Sequence, residues 1–167
     1  MQISNKKGFT LLEVLLVIGL IAILAGIVVV AINPARQITQ ANDTQRSSDV
    51  TAILNAVWQY TIDNNGTLPD DTDGEDIENA NAKILGTSDA DCSNLECPAL
   101  TTNAACIDLS SDLVTTYIGS MPINPGNSTN SYDATNTGYA ISQDSSGLIT
   151  VQSCENDVDG DAISVTR

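Results

Sequence analysis

Polar and apolar positions divide this chain unevenly. From Phe9 to Ile32 the residues FTLLEVLLVIGLIAILAGIVVVAI are apolar apart from Thr10 and Glu13. A helix over that run, at roughly 1.5 Å per residue, is about 36 Å long against a hydrocarbon core of about 30 Å. It predicts a membrane-spanning helix. The polarity changes at Asn33-Pro34, and from Val50 onward a different pattern begins. Val50, Ile53, Leu54, Val57, Trp58 and Thr61 recur at three- and four-residue steps. That spacing predicts an amphipathic helix with one face on a sheet. Trp58 on this stripe reads as a core residue. Arg36 to Asp49 is polar on nearly all sides and reads as a bridge between membrane and folded head.

Proline within a helix removes one backbone bond and clashes with the turn before it, and Gly19 and Gly26 weaken the helix upstream. The expectation is one long helix from Phe9 to about Asp63, bent or locally unwound between Gly26 and Pro34. The alternative is that Pro34 opens a second helix as its first residue after Asn33. Asp63-Asn64-Asn65-Gly66 ends the helix, with Asn or Gly suited to a left-handed cap. Residues 64–105 read as an irregular loop with one short helix at Ile77–Leu85. Leu109, Leu113, Val114, Tyr117 and Ile118 then suggest a short helix or turn packed on the sheet, ended by Met121-Pro122 and Asn124-Pro125-Gly126. Thr137–Ser142 and Leu148–Ser153 alternate as strands around the turn Asp144-Ser145-Ser146-Gly147, a hairpin to which Ala162–Thr166 adds a strand. The expected class is α+β, a long helix on a small antiparallel sheet of three or four strands.

Charge narrows the partners. Asp and Glu number 21 and Lys and Arg 6 over the 167 residues, and there is no histidine. Apart from Glu13, every acid lies at Asp43 or beyond. Such a surface is expected to be soluble and self-repelling, and it argues against DNA or anionic lipid as an electrostatic ligand, since those bind through Lys and Arg. Without histidine, imidazole acid–base chemistry and imidazole metal sites are absent. No phosphate loop, nucleophile–base pair or carboxylate pair in an apolar cleft is evident. The expectation is a protein that is not an enzyme and has no required cofactor.

At the N-terminal end Lys6-Lys7-Gly8 precedes the apolar run, and no small-residue cleavage site follows it, as a secretory signal would require. The stretch KKGFTLLEVLLVIGLIAIL resembles the N-terminus of type IV prepilins and pseudopilins. The resemblance implies cleavage after Gly8 by a prepilin peptidase and N-methylation of the new terminus at Phe9. The family's glutamate, fifth after the cut, falls on Glu13. There it would neutralise the Phe9 amine of a neighbouring subunit, since a buried unpaired charge costs several kcal/mol. On this reading residues 1–8 are the leader, 9–34 the transmembrane and assembly helix, and 35–167 the exported head of the pilin fold. In the head the helix runs to about 63, the αβ-loop spans 64–105 and the sheet region 106–167. Phe9, Glu13, Gly26 and Pro34 are the candidate assembly residues, the last two because family members melt a Gly-to-Pro segment in the filament.

The implied function is a major pilin that polymerises through its apolar helix into an extracellular filament for adhesion, motility or DNA uptake. The alternatives are a pseudopilin of a type II secretion pseudopilus and a minor, tip-located adhesive pilin. The implied partners are other copies of the chain, the prepilin peptidase and methylase, the assembly platform and its ATPase, and the cytoplasmic membrane. Lys6 and Lys7 outweigh Arg36 and keep the N-terminus inside by the positive-inside rule. The run Tyr117-Ile118-x-x-Met121-Pro122-x-x-Pro125-Gly126 resembles the segment before the final strands of major pseudopilins and of several Gram-positive or candidate-phylum pilins.

Cys92, Cys97, Cys106 and Cys154 are an even set, and outside the cytoplasm they predict two disulfides. Three connectivities exist; the preferred one is Cys92–Cys97 with Cys106–Cys154. Two acidic clusters, Asp70–Asp76 and Asp157-Val158-Asp159-Gly160-Asp161, hold carboxylates around a glycine, as calcium loops do. Neither completes a twelve-residue calcium loop, and a solvated charge run is the simpler reading. Asp157, Asp159 and Asp161 are nevertheless the candidate calcium ligands, because related major pseudopilins bind calcium in this half of the domain.

Overall fold

A computed structural model describes residues 8–70, 77, 82–87, 102–127 and 129–167. The chain divides into two compact units, Met1–Ile38 and Thr39–Arg167. The expected leader residues Lys6 and Lys7, the first acidic cluster from Asp71 to Asp76, and Cys92 and Cys97 lie outside the described residues.

The first unit holds helix α1, Leu11–Ile32, and the first residues of α2, Pro34–Asp63. The continuous helix expected from the sequence is replaced by two. Asn33 sits in the left-handed region (φ 44°, ψ 80°) and closes α1. Its backbone carbonyl and its side-chain Oδ1 both accept from the Arg36 N–H, at 3.1 and 3.4 Å, so it also caps α2. Pro34 takes the first helical position, where its missing N–H would have had no partner. This is the alternative that Asn33-Pro34 offered in the sequence: the change of polarity marks the place, but it does not say whether the helix bends there or restarts. Upstream, α1 is helical through Gly19 and Gly26.

In the second unit, α2 lies on a five-stranded sheet: β1 Ala82–Leu85, β2 Thr102–Ile107, β3 Tyr139–Gln143, β4 Ile149–Asn156 and β5 Ala162–Thr166, in the order β2-β1-β3-β4-β5. A one-turn helix, α3, spans Ser110–Leu113. Two expectations fail here. The short helix expected at Ile77–Leu85 is in its second half strand β1, and β2 begins inside the stretch read as loop. The sheet is also mixed, since β1 and β2 pair in parallel while the other pairs are antiparallel. Ala82-Lys83-Ile84-Leu85 is buried on both faces, so no polar–apolar alternation marks it as a strand.

The core forms where the expected stripe meets the sheet. Val50, Ile53, Leu54 and Val57 of α2 pack with Leu85, Ile107, Tyr139, Ile141, Ile149 and Val151, while Leu109 and Leu113 close one side. Trp58 packs against this cluster, partly buried. The C-terminal end of α2 takes the expected left-handed form at Asn65 (φ 57°), and the Gly66 N–H reaches back to the Thr61 carbonyl at 2.8 Å.

Arg36–Asp49, read from the sequence as polar all round, contains the most consequential buried charge. Arg46 is 2% exposed. Its guanidinium donates to Asp43 Oδ1 (2.7 Å), Asn124 Oδ1 (3.0 Å) and the Gly126 carbonyl (2.7 Å). The second oxygen of Asp43 accepts from the Val158 N–H (3.0 Å). Asn124 donates to Ser153 Oγ and the Gly138 carbonyl. These bonds fasten residues 124–126 and the β4–β5 turn to α2. Gly138 (φ 73°) is required beneath them, because a Cβ there would lie 2.6 Å from the Tyr132 ring. Tyr139 donates to Asp49 Oδ2 (2.7 Å) and Tyr132 to Glu155 Oε1 (2.6 Å). Burial first, then these carboxylate partners, pushes both phenols well above the ordinary tyrosine range.

Candidate assembly surface

The candidate surface starts at Gly8-Phe9. Thr10 is extended (φ −77°, ψ 151°) and caps α1, its Oγ1 accepting from the Glu13 N–H at 3.3 Å. Thr10-Leu11-Leu12-Glu13 is thus the S/T-x-x-E spelling of a helix start, a role for Thr10 that the reading of its polarity alone missed. The signal was present in those four letters. Glu13 occupies the first turn, where the unsatisfied N–H groups and the positive end of the helix dipole favour a carboxylate.

Phe9 and Glu13 fall on one side of this helix start and line a shallow groove with Val14, Val17 and Ile18. Phe9 is 82% exposed. The other two candidate assembly residues stand apart from that groove. Gly26 lies well along α1, with open space where a Cβ would be, and Pro34 begins α2. All of α1 is exposed on every side, its mean hydropathy reaches 3.3 and it is 22 residues long, enough to cross a membrane. Such a surface suits lipid or other apolar helices, because exposure to water of so much apolar area is unfavourable all the way round.

Residues 3–29 match the family described as the prokaryotic N-terminal methylation motif. The chain carries a prepilin N-methylation motif. Among curated proteins it is 40% identical over 65 residues to the type II secretion system core protein G of Aeromonas hydrophila, covering 39% of this chain and 44% of that protein. It is 48% identical over 65 residues to the type IV wide pilus major component PilA4 of Thermus thermophilus, covering 36% of this chain and 45% of that one. The matches thus span less than half of either relative. No solved structure matches significantly.

With the prepilin motif placed on α1, the remaining candidate residues belong to the second unit. Cys106 and Cys154 are buried together with Ala82, Ile84 and Ala140, and neither is a free thiol. Pairing involving Cys92 or Cys97 lies outside the described residues. Asp157 Oδ1 accepts from the N–H groups of Asp159 (2.9 Å) and Asp161 (2.8 Å), so its carboxylate organises the β4–β5 turn. Among the described residues no three Asp, Glu, Cys or His side chains are grouped to hold a metal ion.

Proposed function

We propose that this chain is a structural subunit that polymerises through α1 into a type IV pilus-like filament. The observation that carries the proposal is a helix apolar on all sides, exposed over its whole length, and preceded by Gly8-Phe9 with Glu13 in its first turn. In this reading a membrane peptidase hydrolyses the Gly8–Phe9 bond and frees the Phe9 amine, which then accepts a methyl group. Before assembly α1 spans the cytoplasmic membrane, with Lys6 and Lys7 inside and the Thr39–Arg167 unit exported. On assembly the helix exchanges lipid for copies of itself. The subunit acts by packing and needs no catalysis of its own; the platform and its ATPase supply the work. Polymerisation is head-to-tail and does not close, and pairing Glu13 with the Phe9 amine of the next subunit fixes its axial step.

Similarity to a major pilus component supports a long extracellular filament. Similarity to a type II secretion core protein supports a second reading, a short pseudopilus subunit. Imaging cells that overproduce the protein separates the two: long surface fibres of this subunit mean pilus, and blocked secretion without fibres means pseudopilus. The common core of both readings is tested by Glu13→Ala. The variant is expected to enter the membrane and lose its leader normally, yet to form few or no filaments. Normal filaments from it would overturn the pairing role. Intact mass of purified envelope protein is expected to correspond to a chain starting at Phe9 with one added methyl. The disulfides, Cys92–Cys97 and Cys106–Cys154 in our scheme, are read by peptide mapping without reduction. Calcium binding at Asp157, Asp159 and Asp161 is read by a shift in Tm between EDTA and millimolar Ca²⁺.

A further inference from the structure

Among the described residues β5 is the outermost strand on its side of the sheet. Arg167 and Ile149 exchange both backbone bonds (3.0 and 2.9 Å), and Val165 is opposite Val151. Antiparallel pairing alternates, so the backbone groups of Ser164 and Thr166 face the open side. The devices that usually block such an edge are absent from β5. Ala162-Ile163-Ser164-Val165-Thr166 has no proline and no charge, and the extra residues of the register shift fall on β4, between Gln152 and Asn156. The side chains of Ala162, Ser164 and Thr166 are exposed.

The unit as a whole is acidic, so a second copy can pair with this edge only where opposite charges meet locally. The Thr39–Arg167 unit contains three bases, Arg46, Lys83 and Arg167. Arg46 and Lys83 are 2% and 3% exposed, which leaves Arg167 as the exposed one, at one end of β5; one of its guanidinium nitrogens donates to Asn55 Oδ1 (3.1 Å), and the others are left to a second acceptor. Asp161 is exposed at the other end. An antiparallel copy of the same strand, centred on Ser164, sets Ala162 opposite Thr166, Ile163 opposite Val165, and Asp161 opposite Arg167 twice. That register also presents the outward backbone groups of Ser164 to each other. A shift by two residues in either direction loses both charge pairs.

We propose that β5 is a self-complementary docking edge that joins the heads of two copies of this chain in a two-fold, antiparallel strand pair. A two-fold contact closes on itself and so cannot be the head-to-tail contact of a filament. It joins a subunit of one filament, or of the membrane pool, to a subunit of another, and so goes beyond the polymerisation proposed above.

The test uses the full chain in detergent micelles, in the Glu13→Ala background, so that its outcome does not depend on whether filaments form. Among the described residues no cysteine is a free thiol; the parent chain reacted alongside sets the background, Ser164→Cys adds a thiol at the edge, and Ser146→Cys, in the exposed β3–β4 turn, is the control. A short bis-maleimide is expected to give covalent dimer with Ser164→Cys well above the control. Adding Arg167→Asp is expected to reduce that dimer several-fold, and combining it with Asp161→Arg to restore it. Equal cross-linking at the two positions, or no recovery in the charge-swapped chain, overturns the proposal. A loss of folding in Arg167→Asp is recognised by its circular dichroism and Tm, and in that case the swapped chain alone, compared with the parent, decides.

Discussion

Helices α1 and α2 are of similar kind and opposite circumstance. Over its 22 residues α1 buries nothing, and over its 30 α2 buries Arg46, Val50, Ile53, Leu54, Ala56, Val57 and Thr61 against its own unit. An amphipathic helix finds its partner within the chain, because one stripe is all it has to cover. A helix apolar on every side cannot be covered by a single sheet, and a surface of that kind suits lipid or other apolar helices. The second unit is therefore self-sufficient, and the first is defined by what surrounds it. Substitutions should respect this division: changes in α2 act on folding, changes in α1 on insertion and assembly.

The sharpest test on the folding side is Arg46→Ala. It removes a buried cation and the bonds its guanidinium gives to Asp43, Asn124 and the Gly126 carbonyl, a class of change that costs about 3–5 kcal/mol. The expected result is a Tm lower by on the order of 10 °C, with membrane insertion unaffected. A Tm within a degree of the parent would mean that Arg46 does not fasten the loops to α2. On the other side, Ile21→Arg places a charge near the middle of α1, at a cost of about 2.5–3.5 kcal/mol for insertion. Less protein should fractionate with membranes, while the Tm of the second unit stays where it was. If that Tm moves too, the two helices are not separable in the way the division requires.

The same division explains what the sequence made legible. The apolar run, its glutamate and the stripe from Val50 to Thr61 were readable because each is a periodicity, or the lack of one, and hydrophobic burial acts on periodicity directly. β5 and the β3–β4 hairpin were readable from alternation and a turn. Strand β1 was not, since a strand buried on both faces carries no alternation, and its parallel partner β2 lies across a connection too long for a hairpin signal. Arg46 was hidden for a different reason. Burying a guanidinium needs acceptors from Asn124 and Gly126, nearly eighty residues away, and nothing local announces them. At the candidate assembly surface the capping role of Thr10 was spelled in Thr10-Leu11-Leu12-Glu13, although the polarity of Thr10 alone did not give it.

A smaller effect distinguishes the two units by pH. The phenols of Tyr139 and Tyr132 hold their protons more tightly folded than unfolded, because burial and the carboxylates of Asp49 and Glu155 disfavour phenolate. Below about pH 10 both states are protonated and the contribution is complete. Above it the unfolded chain ionises first, so stability falls as pH rises. Urea unfolding between pH 8 and 11.5 should show that alkaline loss, and Tyr139→Phe should flatten it. The substitution lowers stability at neutral pH by about 1 kcal/mol, for the lost bond to Asp49. An unchanged alkaline slope would mean that the phenol is not held by its carboxylate.

The smallest effect is at the boundary between helices, and it asks whether Asn33 is a break or a hinge of convenience. Its left-handed backbone suits Asn and Gly and strains other residues. Its Oδ1 adds a cap on Arg36 N–H that glycine lacks. Asn33→Ala should therefore cost about 1 kcal/mol locally, and Asn33→Gly only a few tenths. Hydrogen exchange at the Arg36 and Gln37 amides, both bonded to the Asn33 carbonyl, would report it. They should exchange faster in Asn33→Ala, little changed in Asn33→Gly, and in both variants the amides of Ile53 and Val57 should keep their protection. Slower exchange in Asn33→Ala would mean that alanine had fused the two helices into the single one that the apolar pattern suggests. The break would then be a property of this one side chain, not of the proline that follows it.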